Sequence, residues 1–260
     1  MGASYIRRWR RRKTACSDHT TAGGKSKSAG KNLPLPEGVP AYQEVGNTAY
    51  VTFDAFTLST DRFHEYREDA KEIDDTISLI MYAHSRITRE DSPIENVVLD
   101  LSCNTGGYVD STVYVTAWML GYCDVNLINP ITNCRSTTSY TVDVNLDGLF
   151  DENDSIADRN LYCLTSAVSF SAANSVAARL KQSRMVTLLG EATSGGGCAV
   201  QFMTTADGSM FCMSTSFCDA VISNGSYYST DRGVEPHIAL HSFDSYFDRE
   251  ALTEYINNLK

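Results

Sequence analysis

Nowhere in its 260 residues does this chain carry an apolar run approaching the roughly 20 residues that a membrane span requires. The basic N-terminus (Arg7, Arg8, Arg10, Arg11, Arg12, Lys13) runs into polar sequence where a signal peptide needs an apolar core, so no export segment is expected. Eight cysteines (16, 103, 123, 134, 163, 198, 212, 218) form no CxxC pair, which argues against a zinc ribbon or a thioredoxin-like site. Disulfides stay open but their pairing does not follow from the sequence, and in a chain of this size buried free thiols are the default expectation. Positive charge is scarce beyond the first 32 residues. Those carry nine Lys/Arg and one acid, Asp18, whereas residues 33 to 260 carry thirteen Lys/Arg against thirty-one acids. A body this acidic repels phosphate backbones, so nucleic acid is not an expected partner.

What is present suffices for one full-sized core, because 42% of residues are hydrophobic and 10% aromatic. The sequence divides into a basic, low-complexity tail over 1–44, expected to be disordered, and a folded core over 45–260. The stretch His19 to Ser26 falls short of a phosphate-binding loop, since His19 stands where the first Gly must be and no strand precedes it. Within the core, Ala49 to Phe53 reads as a strand. Arg62 to Arg86 reads as a helix, with Ala70, Ile73, Ile77, Ile80 and Met81 on one stripe. Asn96 to Leu101 reads as a buried strand that breaks at Asn104 to Gly107 before a helix over Ser111 to Leu120. Leu161 to Leu164 leads into a helix over Ser171 to Leu180, and Met185 to Leu189 leads into the glycines at 195 to 197. This alternation predicts an α/β fold with a central, mostly parallel sheet, helices packed on it, and function at the carboxyl ends of the strands. Ala199 to Thr204, Gly208 to Ser214 and Asp219 to Ser223 read as additional antiparallel strands, and Arg249 to Leu259 as a closing amphipathic helix.

Asp143, Asn145, Asp147, Gly148, Leu149, Asp151 and Asp154 occupy positions 1, 3, 5, 6, 7, 9 and 12 of an EF-hand-like calcium loop inserted at 143–154. Alternate side chains and the Leu149 carbonyl would converge on a hard cation around the turn at Gly148. The expected ligands are Asp143, Asn145, Asp147, Leu149, Asp151 and Asp154, holding Ca2+ as a structural clip. The bland alternative is a solvated acidic turn. Ser139 to Val142 alternates like a strand, so a full helix-loop-helix is not expected. No organic cofactor is expected.

Ser166, Ser169 and Ser171 lie between a buried strand and a helix. A serine there stands among unpaired backbone N–H groups at the positive end of the helix dipole, where an oxyanion is stabilised. The Asn104 to Gly107 turn offers further donors. The ordinary alternative is a helix cap beside an ordinary loop.

The segments NVVLDLSCNTGG (Asn96 to Gly107), SFSAAN (Ser169 to Asn174), VTLLGEATSGGG (Val186 to Gly197) and DRGVEPHI (Asp231 to Ile238) occur in the order found in the C-terminal processing peptidases. The chain from about Val45 onward resembles the catalytic core of that serine peptidase family, which is related to the core of tricorn protease. The calcium-type loop and the ending Phe247 to Leu259 are similar to exported members from gut Firmicutes. The resemblance implies a crotonase- or ClpP-like α/β core and a serine-type endopeptidase acting on extended polypeptide substrates. Ser171 would be the nucleophile, and Gly106 or Gly107 with the Ala172 N–H would form the oxyanion hole. It also implies an extracellular or cell-envelope setting and N-terminal domains that this chain replaces with its tail. Two departures stand out. The lysine base of one branch falls at Gly196, and a frequent Glu three residues after the nucleophile is Asn174. The base is then a histidine or a carboxylate. His64, in the turn after the first strand, is the candidate, whereas His84 lies on a core stripe and His237 and His241 read as surface residues. The rival reading is an inactive, calcium-stabilised peptide-binding protein.

Overall fold

The computed structural model describes residues 35–58, 73, 75–240 and 242–259. Its central sheet has six strands in the order β1-β2-β3-β6-β7-β11. These are β1 (Tyr42–Val45), β2 (Thr48–Thr52), β3 (Asn96–Asp100), β6 (Asn160–Thr165), β7 (Val186–Gly190) and β11 (Ile238–Ala239). β1 runs antiparallel to β2, and every other pairing is parallel. Parallel strands between two covering layers must be apolar on both faces, and all five residues of β3 are buried accordingly.

Successive side chains serve opposite layers. Val97, Leu99, Leu161 and Cys163 pack beneath α1 (Thr76–Ile87), α2 (Val109–Leu120) and α3 (Ala172–Ser183). Tyr50, Val98, Tyr162 and Leu164 pack beneath Leu252 and Ile256 of α4 (Arg249–Asn257). A buried ion pair pins α4 to the sheet. Arg249 reaches the Asp100 carboxylate at the end of β3, donates to Thr52 Oγ1 at 3.0 Å, and lies 4.5 Å over the Tyr50 ring.

A second, antiparallel sheet has the order β10-β9-β4-β5, with β8 also paired to β9. It comprises β4 (Cys123–Ile128), β5 (Arg135–Tyr140), β8 (Cys198–Thr204), β9 (Met210–Ser223) and β10 (Ser226–Ser229). The α/β class with a mostly parallel sheet, helices and extra antiparallel strands is the expected one.

Several boundaries differ from the sequence reading. Helix α1 begins at Thr76 rather than near Arg62, because Asp75 caps it, its carboxylate accepting from Ser78 N while Ser78 Oγ accepts from Asp75 N. Ile73 therefore precedes the helix and is exposed, while Ile77 and Ile80 are buried. Residues 59–72, including Ala70, lie outside the described residues. The strands read at Gly208 to Ser214 and Asp219 to Ser223 form one strand, β9, because a single 14-residue run pairs with β8 over its first part and with β4 and β10 over its second. β1 starts at Tyr42, three residues before the expected core boundary. β4 shows no alternating apolar period, with only Cys123 and Asn126 buried, and gives no sequence signal.

Candidate active site

Three adjacent parallel strands, β3, β6 and β7, end at the same edge of the sheet, and the loops that leave them meet. The loop after β3 supplies Asn104 to Gly107, the loop after β6 supplies Ser166 to Ser171, and the loop after β7 supplies Glu191 to Gly197. This is the edge where an open α/β sheet leaves backbone free for a ligand.

Among the three serines, two are committed to structure. Ser169 Oγ donates to Leu101 O at 2.7 Å, Ser166 Oγ donates to Ser102 O, and both residues are buried. Ser171 is half-buried at the N-terminus of α3 and makes no side-chain capping bond. Its backbone sits at φ +56° and ψ −117°, a region that non-glycine residues rarely enter and that the surrounding bonds must enforce. Those bonds are explicit. Phe170 N donates to Asn104 O at 3.1 Å, Ser171 N to Gly195 O at 2.8 Å, and Ser194 N to Ser169 O at 2.9 Å.

The turn after β3 is held equally firmly. Asn104 Nδ2 donates to Phe53 O at 3.0 Å, and Asn104 Oδ1 accepts the Gly106 N–H at 2.9 Å. Phe56 N donates to Gly106 O at 2.8 Å. Gly106 and Gly107 carry φ of +105° and +142°. A Cβ on Gly106 would come within 2.8 Å of Ser171 Cβ and 3.1 Å of Ala172 N, and one on Gly107 within 2.1 Å of Phe56 O. Only glycine permits this approach of the turn to the serine corner. The Gly106 N–H is spent on Asn104, whereas the N–H groups of Gly107 and Ala172 meet no hydrogen-bond acceptor among the described residues.

The loop after β7 brings Gly196 to the same place. Gly196, at φ +81°, donates its N–H to Asp231 O at 3.2 Å, and a Cβ there would meet the Phe170 ring at 2.5 Å. Asn174, in the first turn of α3, is buried; it accepts from Thr193 Oγ1 at 2.7 Å and donates to Thr230 O at 2.9 Å. It thus ties the helix to the loops after β7 and β10 without presenting a charge.

His64 lies outside the described residues, as do His19 and His241. His84 is buried on α1, where its Nδ1 accepts from Trp118 Nε1 at 3.3 Å and desolvation holds its pKa below the ordinary value. The exposed His237 accepts from Leu188 N at 2.9 Å. A cavity of about 700 Å3 lies elsewhere, between α1 and the 143–159 segment, lined by Tyr82, His84, Leu146, Glu152 and Arg159 among others.

The calcium-type loop is organised by its own side chains. Asp143 Oδ2 accepts from Gly148 N at 3.0 Å, Asn145 Oδ1 from Asp147 N at 2.9 Å, Asp147 Oδ1 from Leu149 N at 2.8 Å, and Asp151 Oδ1 from Asn153 N at 2.9 Å. The buried Asp154 carboxylate accepts from Val144 N at 2.6 Å and from Asp151 N at 3.2 Å. Asp143 is 8% exposed, and its other oxygen, Oδ1, has no hydrogen-bond partner. Burial, with Asp154 and Asp147 nearby, pushes its carboxyl pKa up. Strand β5 precedes the loop, and a short 3-10 turn, Glu152–Asp154, ends it. Among the described residues, no three carboxylate, imidazole or thiol side chains are gathered closely enough to hold an ion.

Residues 47–240 match the family described as Peptidase family S41. No curated protein matches the chain. Among solved structures, it is similar to a photosystem II D1 C-terminal processing protease, with 20% identity and a TM-score of 0.52 over 74% of this chain and 42% of that one. It is similar to a lipoprotein from Streptococcus agalactiae, with 17% identity and a TM-score of 0.55 over 82% of this chain and 69% of that one. Mature CPAF gives 13% identity and a TM-score of 0.53 over 82% of this chain and 50% of that one. At these identities the likeness is one of fold, and the chain spans about half the length of the processing protease and of CPAF.

Proposed function

The chain belongs to peptidase family S41, and on that premise we propose that it is a serine-type endopeptidase that hydrolyses extended polypeptides with Ser171 as nucleophile. The observation that carries the reading is the uncommitted Ser171 hydroxyl, held in a strained backbone beside the unpaired N–H groups of Gly107 and Ala172. In this mechanism the hydroxyl oxygen attacks the scissile carbonyl as its proton passes to a base, and the two N–H groups take up the oxyanion. The C–N bond breaks as the base returns the proton to the leaving amine, and water then hydrolyses the acyl-serine to a carboxylic acid and the free hydroxyl. Each such donor is worth roughly 3 to 4 kcal/mol of transition-state stabilisation. His64 is the candidate for the base that accepts the serine proton. A substrate would bind extended, pairing its backbone with a strand edge.

The rival reading, an inactive peptide-binding protein, is favoured by the Phe170 ring filling the space beside Gly196 and by the neutral, fully bonded Asn174. Incubation with an unfolded, alkylated protein and mass analysis of the products separates the two. New peptide termini with wild type and none with Ser171→Ala support the peptidase. Tight binding by both proteins without products supports the rival.

For the 143–154 loop we propose structural calcium. Its support is the buried Asp143 Oδ1 without a partner inside a turn whose other bonds are already made. Calcium would draw in Asp143, Asn145, Asp147, Asp151, Asp154 and the Leu149 carbonyl, relieving the buried charge while leaving Ser171 chemistry to the protein.

A further inference from the structure

Cys198 opens β8 and Cys218 lies in β9, and the two are direct partners in the antiparallel register. Asp219 N donates to Gly197 O at 2.7 Å, the bond that brackets a non-hydrogen-bonded pair, which is the class with the shorter Cα separation and closer side chains. That separation falls inside the window a disulfide accepts. The sulfur atoms face each other at 2.7 Å. Of the other described cysteines, Cys134 and Cys212 are exposed, and Cys103, Cys123 and Cys163 are buried.

The location gives the pair its consequence. Beyond Cys198, β8 and the facing part of β9 are exposed along nearly their whole length, including Val200, Phe202, Met210, Phe211 and Met213. A two-stranded hairpin with so little packing is marginal by itself. At its base run the residues that hold Ser171. Gly195 O takes the Ser171 N–H, Gly197 O takes the Asp219 N–H, and the Asp219 carboxylate pairs with Arg179 on α3.

We propose that Cys198 and Cys218 form a disulfide that staples the base of the β8–β9 hairpin and fixes the Gly195–Gly197 strap against Ser171. The oxidant is a small disulfide such as oxidised glutathione. The half-buried Cys198 thiolate attacks one of its sulfurs, forming a mixed disulfide and releasing one glutathione thiolate. The Cys218 thiolate then attacks Cys198 Sγ and expels the second glutathione, so two thiols lose two protons and two electrons pass to the oxidant. Burial, then contact with Cys218, pushes the Cys198 thiol pKa up to about 12, so the first step speeds up as pH rises toward that value.

The bond stands apart from the peptidase reading; its effect on Ser171 rests on that reading. The full chain is incubated with oxidised glutathione at pH 8.5 and unfolded, its free thiols are alkylated, and it is digested without reduction. The expected product is one peptide pair joined through Cys198 and Cys218, two hydrogen atoms lighter than the reduced pair, with Cys134 and Cys212 alkylated. The joined pair disappears on prior treatment with dithiothreitol and in Cys218→Ser. Separate, alkylated Cys198 and Cys218 peptides, or either cysteine joined elsewhere, overturn the proposal. On the same samples, the oxidised protein is expected to keep reacting with a serine-directed phosphonate at urea concentrations where the reduced protein no longer does. Coincident loss in both forms removes the strap effect, and no reaction in either form without urea contradicts the peptidase reading while leaving the mapped bond intact.

Discussion

The Phe170 ring occupies the space that a side chain at residue 196 needs: a Cβ on Gly196 would come within 2.5 Å of two of its ring carbons. By the family resemblance, the lysine of the Ser/Lys branch falls at this position, next to the proposed nucleophile. Glycine at 196 and phenylalanine at 170 are therefore in close register, and a side chain added at 196 requires the Phe170 ring to shift.

The pairing predicts that Gly196→Ala destabilises the fold by about 1 to 3 kcal/mol, from the collision and from the left-handed φ together. In a Phe170→Ala background the collision part disappears and the φ part persists. Urea denaturation of the four proteins should give a coupling of at least about 0.5 kcal/mol. Additive effects would show that Phe170 moves aside freely.

Strain at Ser171 has its own signature. Its φ of +56° suits glycine, so Ser171→Gly should stabilise the protein by about 1 kcal/mol, whereas Ser171→Ala keeps the strain and gains little. Thermal unfolding of the two variants checks this. Equal midpoints would mean the backbone at this corner relaxes when the hydroxyl is lost.

Much of this architecture was legible in the sequence. The runs at Asn96 and Leu161 announced buried parallel strands because burial on both faces demands unbroken apolar sequence. The Gly106-Gly107 turn was legible because only glycine tolerates its approach to Ser171. The choice among Ser166, Ser169 and Ser171 followed from the family resemblance; the residues alone left it open, since which hydroxyl a distant carbonyl captures depends on tertiary contacts such as Leu101 O and Ser102 O. The Phe170 contact with Gly196 and the register of Cys198 with Cys218 were equally hidden, because each joins segments that meet only in the folded sheet. The start of α1 was misread because the apolar stripe continued past the cap at Asp75.

If the 143–154 loop binds calcium, millimolar Ca2+ should raise the unfolding midpoint and chelation should lower it. Saturation to a hundredfold over Kd corresponds to about 2.7 kcal/mol. Asp143→Asn should lose most of the response, because it removes the charge from the buried unpartnered oxygen. Calorimetric titration checks binding directly, and an unchanged midpoint with no heat contradicts the site.

Acid sensitivity should be traceable to the edge of the sheet. Glu44 on β1 accepts from Arg89 Nη1 at 2.7 Å and Nη2 at 2.9 Å, with Tyr42 Oη donating at 2.8 Å and Arg86 at 3.8 Å. The Arg89 bonds hold its carboxyl pKa below the ordinary 4.5. A depressed folded value means the stabilisation is complete above 4.5 and is lost as pH falls through the folded value. Denaturation midpoints between pH 6 and pH 3 should therefore fall less steeply in Glu44→Gln than in wild type. Parallel slopes would mean the pair contributes nothing.

The most direct test of Ser171 as nucleophile is the intact mass after exposure to a fluorophosphonate, for wild type and Ser171→Ala, with and without calcium. One adduct on wild type, mapped to Ser171 and missing from the variant, is the predicted result. No adduct on wild type under either condition, or equal labelling of both proteins, would contradict it.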